Sequence, residues 1–206
     1  MQRTKNVMAS VVSVTTSAVL ALTVVLAPSA TASPPTTSAA ARAAGANGIG
    51  MSPSTVSAVA SIVRTNEKSA FDYFVARGLT KRQAAGIVGN LDQESGMDPT
   101  IKQYGGGPGR GIAQWSVGGR WDTYSGDNEV HYTNVVLGVS RYNLTGQLKF
   151  VWYELTNFSY YGLAQVKAST TINGAVVAFQ DHYEGCGTCN TAAREKYAAD
   201  AYARYA

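Results

Sequence analysis

Between Thr80 and Pro99 the chain carries both ends of one helix, and this leaves the segment few alternatives. Thr80 and Gln83 have the S/T-x-x-E/Q spacing of a capping box, in which side chain and backbone satisfy the first free amides reciprocally. Gly96 suits the left-handed residue that follows a last helical turn, and Pro99 forbids continuation. At 100° per residue, Ala84, Ile87, Val88, Leu91 and Ser95 fall within about 100° of arc, so the spacing predicts a helix over 81–94 with one stripe on a core. Glu94 lies about 60° from Leu91, on the shoulder of that stripe and in the last turn. The negative end of the helix dipole and the adjoining apolar surface both penalise a charged carboxylate there. A carboxylic acid that keeps its proton near neutral pH is what general-acid chemistry requires. An ordinary exposed glutamate would occupy the same position, and spacing alone leaves both readings open.

The same period recurs along the chain. Phe71, Phe74 and Val75 share one side of 69–77, which Gly78 ends. Leu148, Val151, Trp152 and Leu155 face inward from 145–157, and 171–183 and 191–205 complete the helical set. A short β-hairpin around 126–132 is the strand expectation. The fold class is therefore mainly α. Of 206 residues 45% are hydrophobic and 15% charged, with 3 Trp, 12 Tyr and 5 Phe, which excludes disorder along most of the chain. Aromatics recur from Arg64 onward, placing one domain at 64–206. Residues 33–63, rich in Ala, Ser, Thr, Pro and Gly, read as a linker in which 54–63 forms a short helix.

The first 32 residues read as a secretory signal peptide: Arg3 and Lys5, a ten-residue apolar run over 18–27, then the A-x-A site Ala30-Thr31-Ala32. That run is half of the ~20 residues a membrane span needs, so no stable membrane anchor is expected and the mature chain is secreted. The net charge of +4 falls to +2 (15 basic minus 13 acidic) once Arg3 and Lys5 are removed. So small and scattered an excess gives no footprint for nucleic acid.

Cys186 and Cys189 follow a helical pattern rather than the strand that precedes a redox CxxC, and outside the cytosol they read as a disulfide closing a tight interhelical turn. Bridged cysteines leave His131 and His182 no thiolate to activate, which argues against a Cys–His amidase. Two isolated histidines supply no H-E-x-x-H, so neither a metal nor an organic cofactor is expected.

Glu94-Ser95-Gly96-Met97-Asp98-Pro99, a Gly-rich loop and Gly111-Ile112-Ala113-Gln114-Trp115 resemble the lysozyme-like superfamily of lytic transglycosylases and goose-type lysozymes. The closer resemblance is to the phage tail lysozyme family. It runs from Ala70-Phe71-Asp72-Tyr73-Phe74-Val75 through QAAGIVGNL at 83–91 to QLKFVWYEL at 147–155 and FQDHYE at 179–184. It implies a lysozyme-like domain, a monomer that cleaves peptidoglycan glycan strands, with Glu94 as the catalytic acid. Gln114 then borders the sugar cleft; Tyr104 and Trp115 are candidates for sugar contact, and Tyr104 is equally a surface aromatic. Asp98 matches a position where a local turn is the expected role. Glu154 and Glu184 match family positions, where each is expected to be a structural partner for an arginine such as Arg194.

A second acid is missing from the loop where goose-type lysozymes supply one. Asp122 is the candidate that remains, with Asp127 behind it and a solvated turn as the plainer role of both. A single acid resembles the lytic transglycosylase pattern without excluding hydrolysis. A non-catalytic glycan-binding module on the same fold is the reading of a different class.

Overall fold

A computed structural model describes residues 52–206. The signal peptide expected at 1–32 and residues 33–51 of the expected linker lie outside the described residues. Helix α1 (Pro53–Ala76) starts with Ser52 as its cap and Pro53 in its first turn, and it runs without a break through the expected linker boundary. The helices expected at 54–63 and 69–77 are thus one element. Helix α2 (Lys81–Ser95) opens on the anticipated capping box: the Gln83 amide donates to Thr80 Oγ1 at 3.3 Å and the Thr80 amide to Gln83 Oε1 at 2.9 Å. Gly96 ends it in the left-handed conformation, φ 61°.

A two-stranded antiparallel sheet follows, β1 (Gly109–Arg110) on β2 (Trp115–Ser116), with Arg110 opposite Trp115. The hairpin therefore lies at 109–116 and not at 126–132. In the latter stretch Asn128 Oδ1 accepts the His131 amide at 2.9 Å and caps a helical turn, α3 (Glu129–His131), which widens into a π-helical turn, Tyr132–Val136. A local cap outcompetes strand pairing where no partner strand exists. Helices α4 (Leu144–Asn157), α5 (Leu163–Ala168) and α6 (Ile172–Phe179) come next, then a second π-helical turn at Gln180–Glu184. The Cys186–Cys189 disulfide occupies the connection to α7 (Thr191–Tyr205). Among the described residues no helix is long and apolar enough to cross a membrane.

The spacing of α2 predicts one buried stripe, but every residue from Gln83 to Gln93 is buried. Glycine makes the difference. A Cβ on Gly86 would lie 2.5 Å from Ala175 Cβ of α6, and one on Gly89 2.5 Å from the Arg194 carbonyl of α7. Without side chains there, two helices close on flanks that a larger residue would keep apart. Phe71, Phe74, Ile87, Leu91, Phe150 and Phe179 fill the core around this central helix.

Two consequences are measurable. Gly89→Ala must push α7 off α2, and overpacking of this kind costs about 1–3 kcal/mol, so the variant should melt clearly below wild type. A variant that melts with wild type would mean that the Arg194 carbonyl yields freely. The second concerns Glu129, which is 0% exposed with neither carboxylate oxygen hydrogen-bonded. Burial pushes its pKa up to about 8. The native state then holds this proton more tightly than the unfolded chain, where glutamate titrates near ~4.3. The stabilisation is complete below the unfolded value and is lost as pH rises through about 8. Glu129→Gln should therefore match wild type at pH ~3 and melt about 3 °C or more above it at pH ~9. Wild type being the more stable at high pH would show a partnered, ionised Glu129.

Candidate active site

Asn90 and Glu94 are one turn apart on α2 and so project from the same face. Arg194, buried on α7, spans both. One of its terminal nitrogens donates to Asn90 Oδ1 at 3.0 Å, and the other donates to Glu94 Oε1 in a short, charge-assisted hydrogen bond. Asn90 is itself held by two carbonyls, Gly86 O at 2.8 Å and Val176 O at 3.1 Å. The Glu94 side chain keeps 14% of its surface exposed, against 4% for Arg194, so the acid sits where buried structure meets solvent. The carboxyl that spacing sets beside apolar surface thus carries a buried guanidinium as well, and the arginine that partners Glu154 is Arg120, while Arg194 hydrogen-bonds Glu94.

The chain after Glu94 is fixed by short-range devices. Met97 takes a left-handed φ of 56° and is fully buried, and Asn66 Nδ2 of α1 donates to its carbonyl at 3.0 Å. Asp98 Oδ1 accepts the Thr100 amide at 2.8 Å and the Thr100 hydroxyl at 2.7 Å, which is the local turn expected of it. Gln147 of α4 does more. Its Nε2 donates to the carbonyls of Pro99 (2.9 Å) and Arg141 (2.6 Å), while its Oε1 accepts the Ile112 amide at 2.9 Å. One buried side chain thereby ties the segment following Glu94 to the G-x-x-Q segment at 111–114.

Glu184 ends the second π-helical turn, and its Oε1 is buried without a hydrogen-bond partner. Burial, and then the charge of Glu94, push its pKa up to about 8 against the opposing pull of Arg194. The charges of Glu94 and Arg194 thus both act on this carboxyl. Glu154 is fully buried and anchors a separate network. It accepts from Arg120 Nε at 2.7 Å, from the Trp115 indole at 3.1 Å and, more closely, from the Tyr183 hydroxyl. Burial outweighs Arg120 and raises the Glu154 pKa to about 7. The Arg120 guanidinium lies 4.5 Å from each of the Tyr161 and Tyr183 ring centres.

The remaining candidates fall into different settings. Gln114 is half-buried at the hairpin turn with a left-handed φ of 49°, and its Nε2 donates to Gly111 O at 3.1 Å. Tyr104 is 61% exposed in a one-turn 3₁₀ helix, Tyr104–Gly106. Trp115 is 1% exposed with its indole committed to Glu154 and Tyr183, which corrects the expectation of a sugar contact. Asp122 is an exposed turn residue whose Oδ1 accepts the Gly118 amide and the Thr123 hydroxyl, both at 2.8 Å. Asp127 is buried and accepts from the Tyr161 hydroxyl at 2.5 Å. Among the described residues no cluster of three His, Cys, Asp or Glu side chains is placed to hold a metal ion.

Three residues of this assembly were not singled out by spacing. Gln147 is a glutamine flanked by Gly146 and Leu148 on an inward face, which is a signal for buried hydrogen bonding. Arg194 shares a helical face with Ala198 and Ala201, so a charge on a small-residue stripe marked it for burial. Glu184 was read as an arginine's structural partner because the proximity of residues ninety positions apart is not a sequence property.

The phage tail lysozyme family model matches residues 65–205, which include α2, the hairpin, Glu94 and Glu184. No curated protein matches the chain. A match over more than half of the chain, on a mainly helical domain with a small two-stranded sheet, settles the relationship: the chain belongs to the phage tail lysozyme family.

Proposed function

We propose that this chain is a secreted enzyme that cleaves the β-1,4 bond between N-acetylmuramic acid and N-acetylglucosamine in peptidoglycan, with Glu94 as its general acid. Membership of the family makes glycan cleavage in the bacterial wall the class of activity. The observation that carries the finer reading is the setting of Glu94. It is a partly exposed carboxyl in the last turn of an otherwise buried helix, held in place by a buried guanidinium. A proton donor needs this combination of reach and fixed orientation.

In this reading Glu94 protonates the departing glycosidic oxygen. It then takes a proton from the nucleophile that completes the reaction, either a water or the sugar's own 6-hydroxyl. The hairpin and the Gly-rich loop before it, tied back by Gln147, would border the bound glycan, with Tyr104 and Gln114 on that border. Glu154, Arg120, Trp115 and Tyr183 have no chemical role here and hold α4 to the hairpin.

Lysis of purified bacterial walls tests the assignment. Glu94→Gln should lower the rate about 10²- to 10⁴-fold, the usual share of a general acid. Lysis equal to wild type would remove Glu94 from the chemistry. Wall binding without lysis by either protein would mark a glycan-binding module. Mass spectrometry of the released fragments separates the two products, since an anhydro sugar is lighter by one water than a reducing end.

A further inference from the structure

We propose that Lys102 and Arg110 form an anion subsite on the border of the bound glycan, where they take a carboxylate from the peptides that the wall glycan carries. The inference rests on the wall glycan being the substrate, as proposed above. Gln147 closes residues 99–112 into one excursion, because the Pro99 carbonyl and the Ile112 amide both bond its side chain. Beyond that clasp the Gly111 amide donates to Ile101 O at 3.0 Å and the Gln103 amide to Gly109 O at 2.9 Å. Lys102 and Arg110 lie between these two bonds as antiparallel partners. They are thus a non-hydrogen-bonded pair, the register in which opposite Cα atoms come within about 4.5 Å and both side chains leave on one face. The path from Glu94 to this pair is short, and it is fixed at Met97, Asp98 and Pro99.

Two cations set directly opposite each other repel, and the chain supplies no counter-charge. The other cross-strand neighbour of Arg110 is Trp115. No Asp or Glu occurs between Asp98 and Asp122, and the carboxylates of those two accept from Thr100 and from Gly118 and Thr123. Among the described residues neither Lys102 nor Arg110 makes an ion pair. The guanidinium is nonetheless held in place, since Arg110 Nη1 donates to the carbonyls of Gly107 and Gly109, both at 2.7 Å. Gln103 Oε1 accepts the Gly109 amide at 3.0 Å and steadies the same turn. Anchored through one nitrogen, Arg110 keeps its remaining N–H groups for an acceptor from outside the chain. A guanidinium fork matches a carboxylate, and the Lys102 ammonium adds a second positive charge beside it. The sugars of the wall glycan are uncharged, and its carboxylates belong to the peptides on N-acetylmuramic acid. The pair therefore favours strands that bear peptides.

Calorimetry with two soluble probes reads the effect: a muramyl disaccharide-peptide with free carboxylates, and the same compound with every carboxylate capped as an amide. Wild type should bind the free acid about fivefold or more tighter, and the gap should shrink as salt rises. The double variant Lys102→Gln, Arg110→Gln should bind both probes alike. Lys102→Gln alone should narrow the gap and melt no lower than wild type, because it removes a like-charge contact; it decides the matter if the double variant does not fold. Equal affinity for the two probes in wild type, absence of binding included, overturns the proposal, and so does a gap that survives substitution. A Lys102→Gln variant that melts clearly below wild type would show an internal partner and overturn it too. If capping changes nothing, while stripping phosphate-bearing polymers from walls slows lysis by wild type and not by the double variant, the anion is a phosphate and the carboxylate is excluded. Walls left intact by wild type, or lysis persisting in Glu94→Gln, would instead fall on the proposed function, since the affinity gap is read without turnover.

Discussion

Arg194 reaches Glu94 only because α7 lies against α2 at backbone distance, and that approach exists only because residue 89 has no side chain. A single Cβ at that position would sit 2.5 Å from the Arg194 carbonyl and 2.6 Å from the backbone nitrogen of Ala198. The same helix makes the same concession to α6 at Gly86. Two small residues thus decide that α2 is enclosed rather than laid on a surface. Enclosure in turn decides the electrostatics of its end, because a guanidinium delivered by an enclosing helix is itself buried. Desolvating a charge so fully is tolerable only when it is paired and hydrogen-bonded, and Asn90 and Glu94 supply both conditions one turn apart.

Much of this was legible in the sequence, and the reasons differ from element to element. The ends of α2 could be placed because capping is local: Thr80 with Gln83, and Gly96 before Pro99, act through neighbours a few residues away. The last helix, 191–205, was legible from its period alone. The hairpin was misplaced because strand pairing is not local, whereas the Asn128 cap that won at 126–132 is. The burial of α2 on all sides was missed for a related reason. Gly86 and Gly89 lower helix propensity, and only the partner helices turn that loss into close packing.

The site divides along the same line. Glu94 stood out through its position at a helix end and through family resemblance. Its counter-charge did not, because Arg194 lies a hundred residues away and only the fold brings it to α2. Trp115 shows the converse error. An aromatic beside a G-x-x-Q motif invites a sugar-stacking reading, but its indole donates to a fully buried carboxylate, so its contribution is to hold Glu154. Motif proximity in sequence says nothing about the direction in which that ring points.

Glu154, fully buried, and Glu184, half-buried, differ in the donors around them. Glu154 has Arg120 at 2.7 Å, the Trp115 indole and the Tyr183 hydroxyl as donors, so the donors that surround it repay much of its desolvation. Glu184 is half-buried, and its open Oε1 receives no donor. An acid with donors is a structural anchor whose removal leaves a buried cation unpaired. Burial raises the pKa of both acids, so the charge of each is conditional on pH. What separates them is the donor set: Glu154 is held by three donors and ties α4 to the hairpin, whereas the open oxygen of Glu184 is held by none.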